Sequence, residues 1–154
     1  SDHALGRSRG GFGTKIHLVT DSNGVPLGAV LSAGQDHDSR YARPALHSIR
    51  IKRPGAGRPI TRPKAVSGDK AYSYTSVRDY LAMRKITAVI PTRSDQQRIP
   101  SFDKKRYRKR NAVERCVGWL KWSRRVETRH EKLAVNYLAM TKLAMIRRCA
   151  RLAA

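Results

Sequence analysis

Between Lys64 and Pro91 the chain reads strand, helix, strand with few residues to spare, and that order limits the folds open to it. Lys64-Ala-Val-Ser-Gly-Asp69-Lys-Ala-Tyr72 reads as a short buried strand ending in an acid. Thr75 to Met83 reads as a helix, and Ile86-Thr-Ala-Val-Ile90 as a second strand closed by Pro91. Strands joined through a helix run parallel with a right-handed crossover, so the class is α/β. In such folds ligands gather at the carboxyl ends of strands, which is where Asp69 falls.

The flanking chain fits around this unit. Lys15 to Thr20 and Val25 to Leu31 are strand-like, and Asp21-Ser-Asn-Gly24 between them is a hairpin signal. Asp21 is therefore read as a turn residue. Residues 1–13 are polar and Gly-rich with Arg7 and Arg9, a flexible or ligand-facing basic lead-in to a domain over 14–154. Gly34-Gln-Asp36-His37-Asp38-Ser39 has the residue types of a metal cluster, but Asp38 or Ser39 suits the N-cap of a helix reaching about Ser48. Arg50 to Lys64 is a Pro/Gly/Arg-rich loop, either a solvated connection or an arm that contacts a polyanion backbone. Residues 93–106 read as a polar, basic loop, and a last helix runs from about Leu133 to Arg151. On that helix Leu133, Tyr137, Met140 and Ala144 form one apolar face, widened by Leu138, Met145 and Ile146, and a stripe so broad packs on a sheet.

Charge narrows the partner. The 154 residues suffice for one domain, and 33 Lys plus Arg against 11 Asp plus Glu leave a net charge of +22. A surplus of that size implies a polyanion. No apolar run approaches the ~20 residues of a spanning helix, so nucleic acid is favoured over membrane. Cys116 and Cys149 sit on apolar helical stretches and read as reduced thiols, and the five His show no ligand spacing.

The most patterned stretch is Tyr107 to Lys121. As a helix beginning near Tyr107, it places Val113, Cys116, Val117 and Leu120 on one core stripe. Tyr107, Arg110, Glu114 and Lys121 fall within roughly 60° of one another at about 100° per residue. A carboxylate flanked by two cations and a phenol suits a metal-binding acid facing a phosphodiester, and also an ordinary solvated helix face.

Tyr-x2-Arg-x3-Glu-x6-Lys, as it stands at 107–121, resembles the signature around the last acid of insertion-sequence transposases of the Asp-Asp-Glu (DDE) type. Asp69-x-Ala-Tyr72 is similar to what that family shows around its second acid. The resemblance implies a ribonuclease-H-like α/β fold, a mixed sheet with helices and a long C-terminal helix. It implies DNA strand cleavage and strand transfer at insertion-sequence ends. Asp69 and Glu114 would be catalytic acids and ligands of a two-metal Mg2+ (or Mn2+) site, with Tyr107, Arg110 and Lys121 binding DNA. The implied partners are terminal inverted repeats, target DNA, a second copy of the chain on that DNA and the upstream N-terminal part of the transposase, in the cytoplasm on the nucleoid. The family's first Asp stands on a first strand absent here, and neither Asp2 nor Asp21 replaces it. The fold is therefore expected to be incomplete and the chain alone inactive in cleavage. A non-enzymatic basic nucleic-acid-binding protein and a ribonuclease-H-like nuclease remain as alternatives.

Overall fold

A computed structural model describes residues 3–153; Asp2 lies outside them. The hairpin is present: β2 (Gly11–Thr20) pairs antiparallel with β3 (Pro26–Ala33). The short β1 (Gly6–Ser8) pairs antiparallel with the start of β2, so part of the stretch expected to be a flexible lead-in is a strand. At the turn, Asp21 Oδ1 accepts from the amides of Asn23 and Val25 at 2.8 and 2.9 Å, the turn role its position predicts. Gly24 has φ +84°, and a Cβ there would stand 3.3 Å from the carbonyl oxygen of Ala112. The turn thus lies close against the start of a helix, where a Cβ would make a tight contact and strain the backbone.

Successive residues of β2 face opposite ways, and each face has its own core. Ile16 and Leu18 pack with Ala29, Cys116, Leu120 and Met145, beneath α4 (Asn111–Lys121), α5 (Arg124–Glu127) and α6 (Ala134–Ala153). Val19 packs with Leu46, Ile49 and Leu81, beneath α1 (Ala42–His47) and α2 (Thr75–Met83). On α6 Tyr137, Ala144 and Met145 are buried, whereas Leu133 and Ile146, expected on the same face, are 46% and 63% exposed. A two-strand hairpin is too narrow to cover the whole stripe.

Before α1 the chain makes a 3-10 turn, Asp38–Tyr41, and the residue that caps it is His37, not Asp38 or Ser39. The acids beside it are engaged elsewhere. Asp36 accepts from the Tyr41 hydroxyl at 2.6 Å, and Asp38 pairs with Lys15 at 2.8 Å. Neither is left facing a metal.

The crossover unit forms as expected, with β4 (Ala65–Ser67), α2 and β5 (Thr87–Val89), and β4 and β5 are parallel. α2 stops sharply because Lys85 turns left-handed (φ +54°). The Ile86 amide then bonds Leu81 O and the Lys85 amide bonds Ala82 O, both at 2.8 Å. The chain enters β5 without a loop.

The two sheets, β1-β2-β3 and β4-β5, stay apart. Over residues 14–20 the strand partner of β2 is β3, and that of β4 is β5; among the described residues no strand joins them. A cleft of about 610 Å³ lies between, bordered by β2 residues 16–20 and by residues 64–69 around β4. Side chains from both faces of β2 line it, so it opens on the edge of that strand.

His17, also on β2, is 5% exposed, with Nε2 2.8 Å from Ser32 Oγ and its ring stacked on Tyr41 at 4.7 Å. Burial lowers its pKa below the ordinary 6.5, outweighing the upward pull of Asp38. Folding therefore favours the neutral form of His17. Its contribution to stability is complete above the unfolded value of 6.5 and declines as pH falls from there through the lower folded pKa. Urea unfolding at about pH 7.5 and about pH 5.5 should show a weaker domain at the lower pH, with His17→Asn reducing the difference. An equal pH effect in both proteins would remove His17 as its source.

Candidate active site

The carboxyl end of β4 delivers Asp69 to the cleft. Its Oδ1 accepts from the Ala71 amide at 2.9 Å, capping a 3-10 turn over Lys70–Tyr72. That bond fixes the carboxylate while leaving its second oxygen free of this contact. Tyr72 packs beside it, and burial, then the charges of Asp38 and Asp69, push its phenol pKa upward.

The stretch expected as one helix from Tyr107 is two. α3 (Lys104–Arg108) is capped by Asp103, whose Oδ1 accepts from the Arg106 amide at 2.8 Å, and α4 begins at Asn111 with Arg110 as its N-cap. Across the junction the amides reach back three residues: Lys109 to Arg106, Arg110 to Tyr107 and Ala112 to Lys109. Such bonds tighten a helix without reversing it, and Arg110 keeps near-helical angles (φ −56°, ψ −28°).

Three of the four patterned residues therefore still meet. The Arg110 guanidinium carbon lies 5.5 Å from the Tyr107 ring centre, and Nη2 is 2.6 Å from Glu114 Oε1. Burial disfavours the Arg110 charge, but the hydrogen bond it donates to Glu114 and the neighbouring Tyr107 outweigh it and raise the pKa. Arg110 borders the cleft alongside Asp69, so Glu114 is linked to the cleft through its ion pair. Lys121 is not part of this group. It is exposed at the other end of α4, about 10 Å along the axis from Glu114.

The apolar stripe of α4 also differs from expectation. Ala112, Cys116 and Leu120 are buried at 2%, 0% and 3%, while Val117 is 37% exposed. The helix lays its 112/116/120 row on the hairpin, which turns Val113 and Val117 toward the cleft. Cys116 is a free, buried thiol, its pKa raised by burial.

Sequence reasoning missed three cleft residues. Arg106 and Lys109 border it with Arg110 and Lys64, and their only signal was the dense basic run before α4. His17 borders it from β2, at a position where the alternation of the strand gave no hint of a ligand role. The cleft is thus apolar along its floor and cationic at the α3–α4 side, with Asp69 and Asp21 as its acids.

A two-metal phosphodiester site needs carboxylates enough to bind both ions and leave positions for phosphate and water. Among the described residues no three His, Cys, Asp or Glu side chains are grouped to hold a metal. Asp69 and Glu114 each have one oxygen already engaged, by the Ala71 amide and by Arg110. The residues present fall short of that donor set.

Fold and cleft define a strongly basic α/β domain with an acid at a strand end and an Arg–Glu pair on the neighbouring helix. Comparison with known proteins gives this class a family. The family described as Transposase DDE domain matches residues 3–148. A protein of Burkholderia cepacia named as a candidate transposase for insertion sequence element IS402 is 34% identical over 131 residues, 85% of this chain and 60% of that protein. One of Brucella ovis, named likewise for insertion sequence element IS6501, is 29% identical over 132 residues, covering 85% of this chain and 93% of that protein. No solved structure matches the chain. The chain belongs to the family of DDE-domain transposases, and it spans about 60% of the length of the IS402 relative.

Proposed function

We propose that this chain is the larger part of a transposase catalytic domain, acting on DNA at the ends of an insertion sequence. The observation that carries the reading is the shared cleft: Asp69 at a strand end and Arg110, ion-paired to Glu114, on the helix beside it. In this reading Arg106, Lys109, Arg110 and Lys64 hold phosphates, and Tyr107 fixes the Arg110 guanidinium from below. Asp69 and Glu114 are the acids that converge on one phosphodiester and would ligate magnesium or manganese, which supplies the nucleophile-activating and charge-stabilising chemistry when the donor set is complete. Lys121 binds DNA farther along α4. The fold is ribonuclease-H-like and lacks its first strand, a reading supported by the open edges of β2 and β4 on either side of an apolar cleft. Alone, the chain binds DNA and neither cuts nor joins it. The partner that completes it is the preceding part of the transposase, and a second copy of the chain works with it on DNA.

Binding should be dominated by phosphate contacts. Each contact releases counterion, so log affinity falls against log salt with a slope of about −0.9 per neutralised phosphate. Titrating a labelled duplex between about 50 and 200 mM salt should show affinity dropping by roughly a thousandfold or more if six or more cations engage. Arg110→Ala should make the slope shallower by about one. A flat salt response would refute the nucleic-acid reading.

A further inference from the structure

Trp119 and Trp122 are the two tryptophans of the chain, and they stand together at the end of α4 remote from Asp69. With Ser123 and with Ala144, Arg147 and Arg151 of α6 they line a second concavity of about 140 Å³. The guanidinium carbons of Arg147, Arg148 and Arg151 lie 5.9, 5.4 and 5.9 Å from the Trp119 ring centre. None of these arginines forms an ion pair with a described residue. Trp119 is rooted in the core cluster around Cys116 and Leu120. Trp122 is 81% exposed and contributes little to packing.

We propose that this cradle is a binding site for an unpaired stretch of DNA, with a nucleobase stacked on Trp122 and its flanking phosphates held by Arg147 and Arg151. Folding does not use the exposed face of Trp122, and a large aromatic surface in water is a standing gain for any flat apolar partner. The surrounding charge is uncompensated and positive, so the partner is an anion. A base with its phosphates is both, and base–aromatic stacking with arginine support tolerates any sequence. In a duplex the base faces are covered by their neighbours, so the site discriminates for single-stranded or extruded bases. The cleft end of α4 and the cradle are separated by its 11 residues, about 16 Å along the axis. A strand anchored at the cradle can therefore run toward Asp69, and this inference deepens the DNA-processing reading on which it rests.

Because both tryptophans belong to the cradle, the tryptophan emission of the full chain, excited where its six tyrosines do not absorb, reports on this site. Oligo(dT) should quench it with the same midpoint that anisotropy of a labelled oligo(dT) reports. Trp122→Ala should weaken oligo(dT) binding roughly tenfold and change affinity for a blunt duplex less than about twofold. Trp122→Phe should recover most of the loss, and circular dichroism should be unchanged in both variants. Oligo(dT) bound without quenching, or bound equally well by Trp122→Ala, would overturn the cradle and leave DNA binding by the cleft standing. If neither oligo(dT) nor duplex changes anisotropy, the DNA-processing reading fails and the cradle with it.

Discussion

Leu81→Ala is expected to destabilise the domain by about 3–4 kcal/mol. Leu81 is fully buried, and it sits where α2, α1 and the β5 region meet, against Leu46, Val77, Ile86 and Ile90. Nothing else fills that junction if it is removed. The core is divided into two small clusters on either face of the hairpin, and the cleft beside Leu81 leaves part of one open. Stability should therefore lie toward the low end of the usual ~5–15 kcal/mol. The melting temperature should fall by about 10 °C, while Leu143→Ala, at a site 56% exposed on α6, should change stability by less than about 0.5 kcal/mol. Equal melting temperatures for the two variants would show that α2 does not anchor the core.

The second large effect concerns the cleft. β2 and β4 present unpaired edges across a space lined by Ile16, Val19, Leu46 and Val66. An extended Val/Ile-rich segment of about six residues is the object that pairs with both edges and fills such a space. Joining such a segment, ending in aspartate, ahead of residue 1 should raise the melting temperature by roughly 5 °C or more. Amide exchange should slow at residues 16–20 and 65–67. If the added segment leaves both unchanged, the cleft is not a place for a strand.

The parts of the fold legible in the sequence are those fixed by local chemistry. Asn23-Gly24 between apolar runs set the hairpin, and the helix read from about Thr75 to Met83 is α2. What escaped was set by tertiary contact. The break in the helix between Arg108 and Asn111 has no Pro or Gly to announce it, because it comes from amides reaching back three residues. His37 displaced Asp38 as a cap because Asp38 is drawn to Lys15, twenty-three residues earlier in the chain. Val113 and Val117 look like core by spacing, and only the angle at which α4 meets the hairpin turns them to the cleft. Tyr107, Arg110 and Glu114 meet as their spacing predicts because near-helical geometry continues through Arg110, while their roles were implied only by the resemblance. Arg106 and Lys109 were hidden among other cations of the same run.

The most direct measurement is strand cleavage by the completed chain, joined to the preceding part of the transposase proposed to complete it, on a duplex that ends in the insertion sequence's own terminal repeat, with magnesium or manganese present. The completed chain should nick the repeat end, the 154-residue chain should bind the same duplex and leave it intact, and Glu114→Gln or Asp69→Asn in the completed chain should abolish nicking while binding persists. Nicking by the completed chain that survives both substitutions would contradict the assignment of Asp69 and Glu114 to one phosphodiester.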